Sequence, residues 1–369
     1  MRVMIGRTPP ACGLVRMRIR SSVVALLAVL ALALAACGSQ SSAEPTPSAT
    51  SAVGSSSTLA VGTADTSPAT PVGAAPSAGP AVSAVPVPSP VFPGRWVGVV
   101  SDGVTVTVRG VDGGEIAEVE VPVAVGEGGT SVVRVLMQDG AVVVDTCCEP
   151  AAGRWLRWLV GSGDLVEGAW FGEVTDVDAA GRLLAADPNG FVVRAAAPNG
   201  GILVEWRSVA DGEPAVAPED AAWSPDGSLV AFVGVDPAGE TVLATFGVEA
   251  VGLGDAVVVD RGPADGVHPA FPTVDRRGRV WYVLVDETSR IPTAAGGLAP
   301  ETVGGRIVDG DTGEVVDKVF YDGTVVDQHF DASGSFLIVT YADGRVVWRS
   351  IDGTDSGTLA EGGYAAADW

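Results

Sequence analysis

From Pro93 to the end of the chain, short apolar runs rich in valine alternate with polar turn residues. The runs are roughly four to eight residues long, and Asp-Gly, Pro-Asp-Gly and Asn-Gly separate them. Such runs between turn dipeptides are typical of β-strands, and no long segment with the 3.6-residue period of a helix competes with them. The pattern predicts an all-β domain over residues 93–369.

A turn motif recurs along this domain. It reads large apolar residue, Asp or Ser, two variable residues, Gly, one spacer and an apolar run, with clear copies from Val177, Trp223, Val274 and Phe330. The Asp or Ser side chain can accept a backbone N–H and Gly tolerates a positive φ, so each copy predicts a hairpin turn. With two weaker copies, the motif glycines lie at positions 103, 140, 181, 227, 278 and 334. Their spacing of about 46 residues suits one four-stranded propeller blade.

One copy carries a family resemblance. The stretch AAWSPDGSLVAFVGVDPAGETVL from Ala221 resembles the repeat of TolB-like, WD-type β-propellers, whose consensus centres on W-S-P-D-G before an apolar strand. The resemblance implies that the segment before each turn is the innermost strand of a blade. Six blades account for the domain. An open pair of β-sandwiches is the alternative architecture.

The C-terminus indicates how the propeller closes. The run from Tyr364 to Trp369 resembles the run into Trp223, but the chain stops at the tryptophan. Residues 365–369 are therefore predicted to supply the inner strand of a blade whose outer strands come from about residues 93–123. Such a closure joins the first and last blades and removes exposed sheet edges.

Residues 1–36 are predicted to be a lipoprotein signal peptide. The basic cluster Arg16, Arg18 and Arg20 precedes VVALLAVLALALAA, an apolar run too short to span the roughly 30 Å hydrocarbon core of a bilayer. The run ends Leu34-Ala35-Ala36-Cys37-Gly38, which resembles the lipobox of bacterial lipoproteins. The resemblance implies cleavage before Cys37, a diacylglyceryl group on its sulfur and palmitate as a fatty acid. The protein would then be anchored on the extracytoplasmic side of the cell membrane; an ordinary signal peptide is the alternative.

Residues 37–92 are predicted to be a disordered linker. They are mostly Ser, Ala, Pro, Thr, Gly and Val, with only Glu44 and Asp65 charged. Such a segment cannot bury enough apolar surface to offset the entropy of ordering. It would serve as a stalk between the anchor and the domain.

The net charge of the chain limits the classes of partner that it is expected to bind. The chain has 22 basic and 45 acidic residues and a net charge of −23. Nucleic acids and anionic lipid surfaces attract clustered positive charge, so neither is an expected partner. The acidity is interpreted as an aid to solubility, with a cationic partner or bound cations as the alternative.

Five residues are candidates for binding at the mouth of the central channel. His268 and His329 each lie near the start of a predicted inner strand. Asp178, Asp275 and Asp331 occupy the same position in their copies of the motif and could ring one face of the domain. Turn capping explains these aspartates equally well.

No catalytic residue, metal ligand or cofactor site is predicted. The chain has no G-x-S-x-G elbow, Walker A motif or dinucleotide fingerprint. Asp311-Thr312-Gly313 and Asp355-Ser356-Gly357 mimic the aspartic-protease motif, and residues 309–314 resemble a calcium loop. All three are interpreted as outer hairpin turns.

Two adjacent cysteines, Cys147 and Cys148, are the thiols that remain once Cys12 is cleaved off and Cys37 is lipidated. An exported domain lies in an oxidising compartment, so a vicinal disulfide is predicted. Zinc binding would need two further ligands in a chain with two histidines. Nucleophilic catalysis has no neighbouring histidine in the sequence.

These observations favour a membrane-anchored lipoprotein that presents a β-propeller as a non-catalytic platform for a protein or small ligand. Similar propellers occur in lipoproteins that assist envelope sensor kinases or transport complexes, so an accessory role of that kind is included. A hydrolase or lactonase that uses channel-mouth carboxylates, with or without Ca²⁺, is the alternative. A structural spacer associated with the cell wall is the third hypothesis.

Overall fold

The computed structural model describes most of the predicted domain. The described residues are 86–122, 131–138, 140–147, 154–162, 164–167, 173–178, 180–187, 190–194, 202–207, 209–210, 213–214, 216–248, 256–263 and 266–369. The predicted signal peptide, Cys37, most of the predicted linker, Cys148 and the side chain of Cys147 lie outside them. Within these ranges, no helix is long and apolar enough to cross a membrane.

Antiparallel strands in the described ranges form six four-stranded sheets, which we call blades 1 to 6, and one small hairpin. Blade 1 contains, from its inner edge outward, β26 (Tyr364–Asp368), β1 (Arg95–Val100), β2 (Thr105–Gly110) and β3 (Glu115–Glu120). Blade 2 contains β4 (Ser131–Gln138), β5 (Ala141–Cys147), β6 (Arg154–Leu159) and β7 (Leu165–Glu167). Blade 3 contains β8 (Glu173–Val177), β9 (Leu183–Asp187), β10 (Gly190–Arg194) and β11 (Ile202–Arg207).

The remaining blades follow in chain order after the hairpin of β12 (Val209–Ala210) and β13 (Glu213–Pro214). Blade 4 contains β14 (Ala217–Trp223), β15 (Leu229–Val235), β16 (Thr241–Gly247) and β17 (Val257–Asp260). Blade 5 contains β18 (Val267–Val274), β19 (Arg279–Pro292), β20 (Leu298–Asp309) and β21 (Val315–Val319). Blade 6 contains β22 (Val325–Phe330), β23 (Phe336–Tyr341), β24 (Val346–Ser350) and β25 (Ser356–Ala360).

The six inner strands form a closed ring. In order around the ring, β26, β4, β8, β14, β18 and β22 each contact the next strand, and β22 contacts β26. The chain is therefore a six-bladed β-propeller, as predicted, and not an open pair of sandwiches. The segment before each clear motif copy is the inner strand of its blade, which confirms that prediction as well.

Apolar packing between the blades holds this ring together. Each of the six pairs of neighbouring blades encloses its own cluster of buried apolar side chains. The cluster between blades 3 and 4 contains five buried aromatic residues that meet edge to face or stacked: Phe191, Trp206, Trp223, Phe232 and Phe246. Because blade 4 is covered on both faces, its second strand β15 is apolar throughout, with the run LVAFVGV.

The repeated turns have the predicted geometry. All six motif glycines have a positive φ, between 62° and 76°. Gly334 is required for two reasons. Its φ is positive, and a β-carbon there would lie 2.4 Å from the backbone nitrogen of Arg276 in the neighbouring blade. Asp331 caps this turn by accepting the backbone N–H groups of Ser333, Ser335 and Phe336.

Closure occurs through the last strand. β26 pairs with β1, and Ala367 lies opposite Gly98 in the register. This confirms that the C-terminal residues supply the inner strand of blade 1. Phe92, just before the predicted domain boundary, packs against Phe336, Trp348 and Trp369 and so belongs to the folded part.

The closing sheet allows a direct test, in which Gly98→Ala should destabilise the domain by about 1–3 kcal/mol through overpacking. A β-carbon at Gly98 would lie 2.7 Å from ring atoms of both Trp96 and Tyr364, which are buried. Chemical denaturation measures the free energy of unfolding. Gly94→Ala is the matched control, since a β-carbon there meets nothing within 4 Å. Equal stability of the two variants would contradict the assigned closure.

Candidate functional site

The inner strands end around a cavity of about 490 Å³ at the mouth of the channel. Its wall includes the last residues of β8, β14, β18, β22 and β26 together with Met137 of β4. All six blades thus contribute to one site. We call it the channel-mouth cavity.

Three of the five predicted binding residues line this cavity: Asp178, His329 and Asp331. Asp178 and Asp331 begin the turns after β8 and β22, as the motif requires. His329 is the penultimate residue of β22, so the expectation that it lies near the start of an inner strand is wrong. The reason is that Asp331 caps the turn, which places the residues just before it at the end of the strand.

The other two predicted residues lie elsewhere. Asp275 is completely buried and accepts hydrogen bonds from the Arg279 side chain and from Trp281 Nε1, at 2.7 and 2.9 Å. His268 is the second residue of β18, as predicted, at the opposite end of that strand from the cavity. Its Nε2 lies 3.1 Å from Glu287 Oε1. The structure therefore brings three candidates together and separates two.

His329 is the one predicted residue that directly precedes the large apolar residue of its motif, and the same position in the other copies was missed. In three of the four clear copies it is polar and lines the cavity, as Asp176, Thr273 and His329, and Asp368 precedes Trp369 in the same way. The signal was present in the sequence as the polarity of this position in aligned copies. The role of these polar residues depends on contacts with the neighbouring blade, which no single copy of the motif shows.

Three of these residues hold adjacent blades together. Asp176 Oδ2 accepts the backbone N–H of Trp223 at 2.7 Å, and Asp368 Oδ2 accepts that of Met137 at 2.7 Å. Thr273 Oγ1 accepts the backbone N–H of Phe330 at 3.2 Å. Each bond joins the end of one inner strand to the end of the next inner strand. We call them the inter-blade clasps.

His329 forms a charge pair with Asp327. Its Nε2 lies 2.9 Å from Asp327 Oδ1, a close contact that is not aligned as a hydrogen bond. Burial of the ring opposes protonation, but the Asp327 carboxylate, with a contribution from Asp368, outweighs it and raises the pKa of His329 to about 9. The pKa of Asp327 is lowered, because the imidazolium and Arg134 outweigh its own burial. At neutral pH the pair is ionised.

In contrast to Asp327, two carboxylates of the inter-blade clasps have a raised pKa. Burial raises the pKa of Asp176 to about 7 and that of Asp368 to about 6, although His329 and the backbone N–H bonds favour the charged forms. Both carboxylates therefore change charge near neutral pH.

A buried ion pair lies deeper in the channel wall. Arg134 of blade 2 reaches past blade 3 to Asp220 of blade 4, where the nitrogen–oxygen distance is 2.8 Å, and also donates to the carbonyl of Thr175 at 2.7 Å. One side chain thus ties three inner strands. Asp145 nearby has a pKa raised to about 8 by burial and by the charge of Glu173.

The segments that mimic catalytic or calcium motifs are outer turns, as predicted. Asp311-Thr312-Gly313 lies between β20 and β21, where Asp309 Oδ1 accepts the N–H of Thr312 at 2.9 Å. Asp355 ends the turn before β25. Among the residues that the structure describes, no group of three or more His, Cys, Asp or Glu side chains could hold a metal ion.

No protein-family model matches this chain, and no curated protein matches it. Among solved structures, the chain is similar to TolB from Acinetobacter baumannii, with 14% identity and a TM-score of 0.46. That similarity covers 74% of this chain but only 65% of the other. A protein assigned as TolB from Agrobacterium tumefaciens shows 13% identity and a TM-score of 0.43, over 72% of this chain and 87% of that one.

A gluconolactonase from Xanthomonas campestris is similar at 14% identity and a TM-score of 0.41, over 65% of this chain and 82% of that chain. At these identities and TM-scores the similarities carry no argument about function. The fold itself follows from the chain's own six sheets.

The His329–Asp327 pair predicts a pH-dependent stability. Because the pKa of His329 is raised in the folded state, its contribution is fully present below about pH 6.5 and is lost as the pH rises through about 9. His329→Gln should lower the free energy of unfolding by about 1–3 kcal/mol at about pH 6, and by much less at about pH 9.5. Denaturant titrations at both pH values measure the difference.

His268→Gln is the control for loss of an imidazole outside the cavity. A deficit of His329→Gln that stays constant between the two pH values would show that the charge pair does not contribute as described.

Proposed function

We propose that this protein is an extracytoplasmic lipoprotein, anchored in the cell membrane through Cys37, whose propeller is a non-catalytic binding platform. The partner would be an envelope protein or a small ligand, and an accessory role in a sensor or transport complex fits this arrangement. The observation that carries the proposal is the channel-mouth cavity, to which all six blades contribute. A rigid ring with one polar opening is suited to presenting a fixed binding surface.

The state of the polar residues supports binding over catalysis. His329 is the histidine of the cavity wall, and its pKa of about 9 keeps it protonated at neutral pH, where it cannot accept a proton as a general base. Asp178 and Asp331 use both carboxylate oxygens in capping their own turns. Their side chains stabilise the fold and are not poised for chemistry.

One observation favours the hydrolase alternative. Asp176 lines the cavity with a pKa of about 7, a value suited to general acid–base catalysis. Its two oxygens, however, accept the backbone N–H groups of Val177 and Trp223. A carboxylate that holds two blades together is poorly placed to exchange protons with a substrate, so the binding platform is the preferred function.

The anchor has its own test. Metabolic labelling with palmitate should mark the wild-type protein, and the label should disappear in Cys37→Ala because the acceptor sulfur is lost. Cys12→Ala is the matched control and should keep the label, since that residue would leave with the signal peptide. Membrane fractionation of the same cells gives a second measurement. Label retained in Cys37→Ala would contradict the lipid anchor.

The binding role can be tested at the cavity itself. Ala180 is exposed and lines the cavity, whereas Ile116 is exposed on the outer strand β3. A photoreactive amino acid at position 180 should give one stoichiometric adduct in intact envelopes, and the same group at position 116 should not. Adducts of equal yield from both positions, or none from position 180, would contradict a platform at the channel mouth.

A further inference from the structure

The carboxylates on the wall of the channel-mouth cavity already serve the fold. The four are Asp176, Asp178, Asp331 and Asp368. Each accepts at least one backbone N–H, and both oxygens of the first three are engaged. Such groups offer little hydrogen-bonding capacity to a ligand. The acidic residues therefore do not by themselves define what the cavity binds.

The unpartnered polar atoms on the same wall are N–H donors. Among the described residues that line the cavity, Arg157 Nε, Trp223 Nε1 and Trp369 Nε1 are buried and make no hydrogen bond, and His329 Nε2 makes none but lies against Asp327. The two tryptophans are only 4% and 7% exposed. A buried donor without a partner is unfavourable, so this wall is complementary to a ligand that brings hydrogen-bond acceptors.

Arg157 also supplies a positive charge. It lies on β6, is half-buried, and has no ion pair with any residue that the structure describes. Other buried guanidinium groups have a carboxylate partner, as Arg134 has Asp220, or lie over aromatic rings, as Arg349 lies over Trp281 and Tyr321. In a chain with 45 acidic and 22 basic residues, an arginine left unpaired in a cavity wall marks the place where an anion is best accommodated.

Apolar surface completes the wall. Met137, Pro225 and Phe330 line the cavity beside the two indole rings. Small-molecule sites are commonly built from such side chains with a few polar groups that fix orientation. The ligand class that matches this composition has an apolar body and one anionic group of acceptors.

We propose that the channel-mouth cavity binds a small molecule through a carboxylate group, with Arg157 as its charge partner and the indole N–H groups of Trp223 and Trp369 as further donors. This inference rests on the proposed function, because it names the ligand class of the same site.

The negative charge of the cavity changes with pH, so the affinity for a charged ligand should depend on pH. The charged groups that act on Asp176 include His329 and Asp368, and those that act on Asp368 include His329 and Asp327. The described cavity wall also contains Asp178, Asp331 and Arg157. As the pH falls from about 8 to about 5.5, Asp176 and Asp368 take up protons while His329 stays protonated. The cavity then becomes less negative. A carboxylate should bind more tightly at the lower pH and a cation more weakly.

Three probes of matched shape test the ligand class: benzoate, benzylammonium and benzyl alcohol. The first two keep their charge over this pH range. Isothermal titration of the folded mature protein should show that benzoate binds most tightly of the three. Its dissociation constant should fall by about tenfold between pH 8 and pH 5.5, since nearby carboxylates change charge.

Variants of the arginine test the assigned partner. Arg157→Gln should weaken benzoate binding by about tenfold or more, as expected for loss of a charge-assisted hydrogen bond. Arg157→Lys keeps the charge and should retain most of the affinity, which separates loss of charge from a folding defect. Arg290→Gln, on the β19 hairpin and outside the cavity, should leave binding unchanged.

Three results would overturn the inference: preferential binding of benzylammonium, equal binding of benzoate and benzyl alcohol, or no binding of any probe. In each case a photo-adduct at position 180 would still support the binding platform, so the two proposals fail separately. Loss of benzoate binding in Arg290→Gln as well would show that Arg157 is not the specific partner.

Discussion

The pairing of β26 with β1 is the constraint on which the rest of the structure depends. It places the last residues of the chain in the same sheet as the first strands of the domain, so that six blades close into a ring. Only in a closed ring does every blade have a neighbour on both sides, which is what buries the two faces of strands such as β15. The same strand delivers Asp368 and Trp369 to the channel-mouth cavity. The strand that closes the ring therefore also completes the candidate site.

Among the inner strands, buried polar and charged groups join neighbouring blades. Arg134 links blades 2, 3 and 4 through Asp220 and the carbonyl of Thr175. Each inter-blade clasp also joins two blades, through one backbone N–H group. Buried ionisable groups with partners are costly to disturb, because removing one partner leaves the other charge unpaired. The carboxylates of the channel mouth are therefore engaged in holding the fold, and the unpaired donors near Arg157 are the more informative feature about a ligand.

Much of the fold could be predicted because its signal is local. Each hairpin turn needs an Asp or Ser cap and a glycine with positive φ within a few residues, so Asp331 and Gly334 identify their turn wherever the chain goes next. The candidate site was predicted only in part. Asp178, His329 and Asp331 do line the cavity, but Asp275 and His268 do not. The clasp role of Asp176 depends on the backbone of Trp223, 47 positions away, and no motif encodes that distance.

The sequence by itself determined the all-β class, the repeat, the number of blades and the closing role of the C-terminal residues, because strand periodicity and turn chemistry are properties of short segments. The tertiary structure decided which polar residues meet. Arg134 and Asp220 are 86 positions apart, and Asp368 reaches Met137 across 231 positions. Such contacts arise only when six blades are arranged around one axis, since the geometry of the ring, and not the spacing along the chain, sets the distances between inner strands.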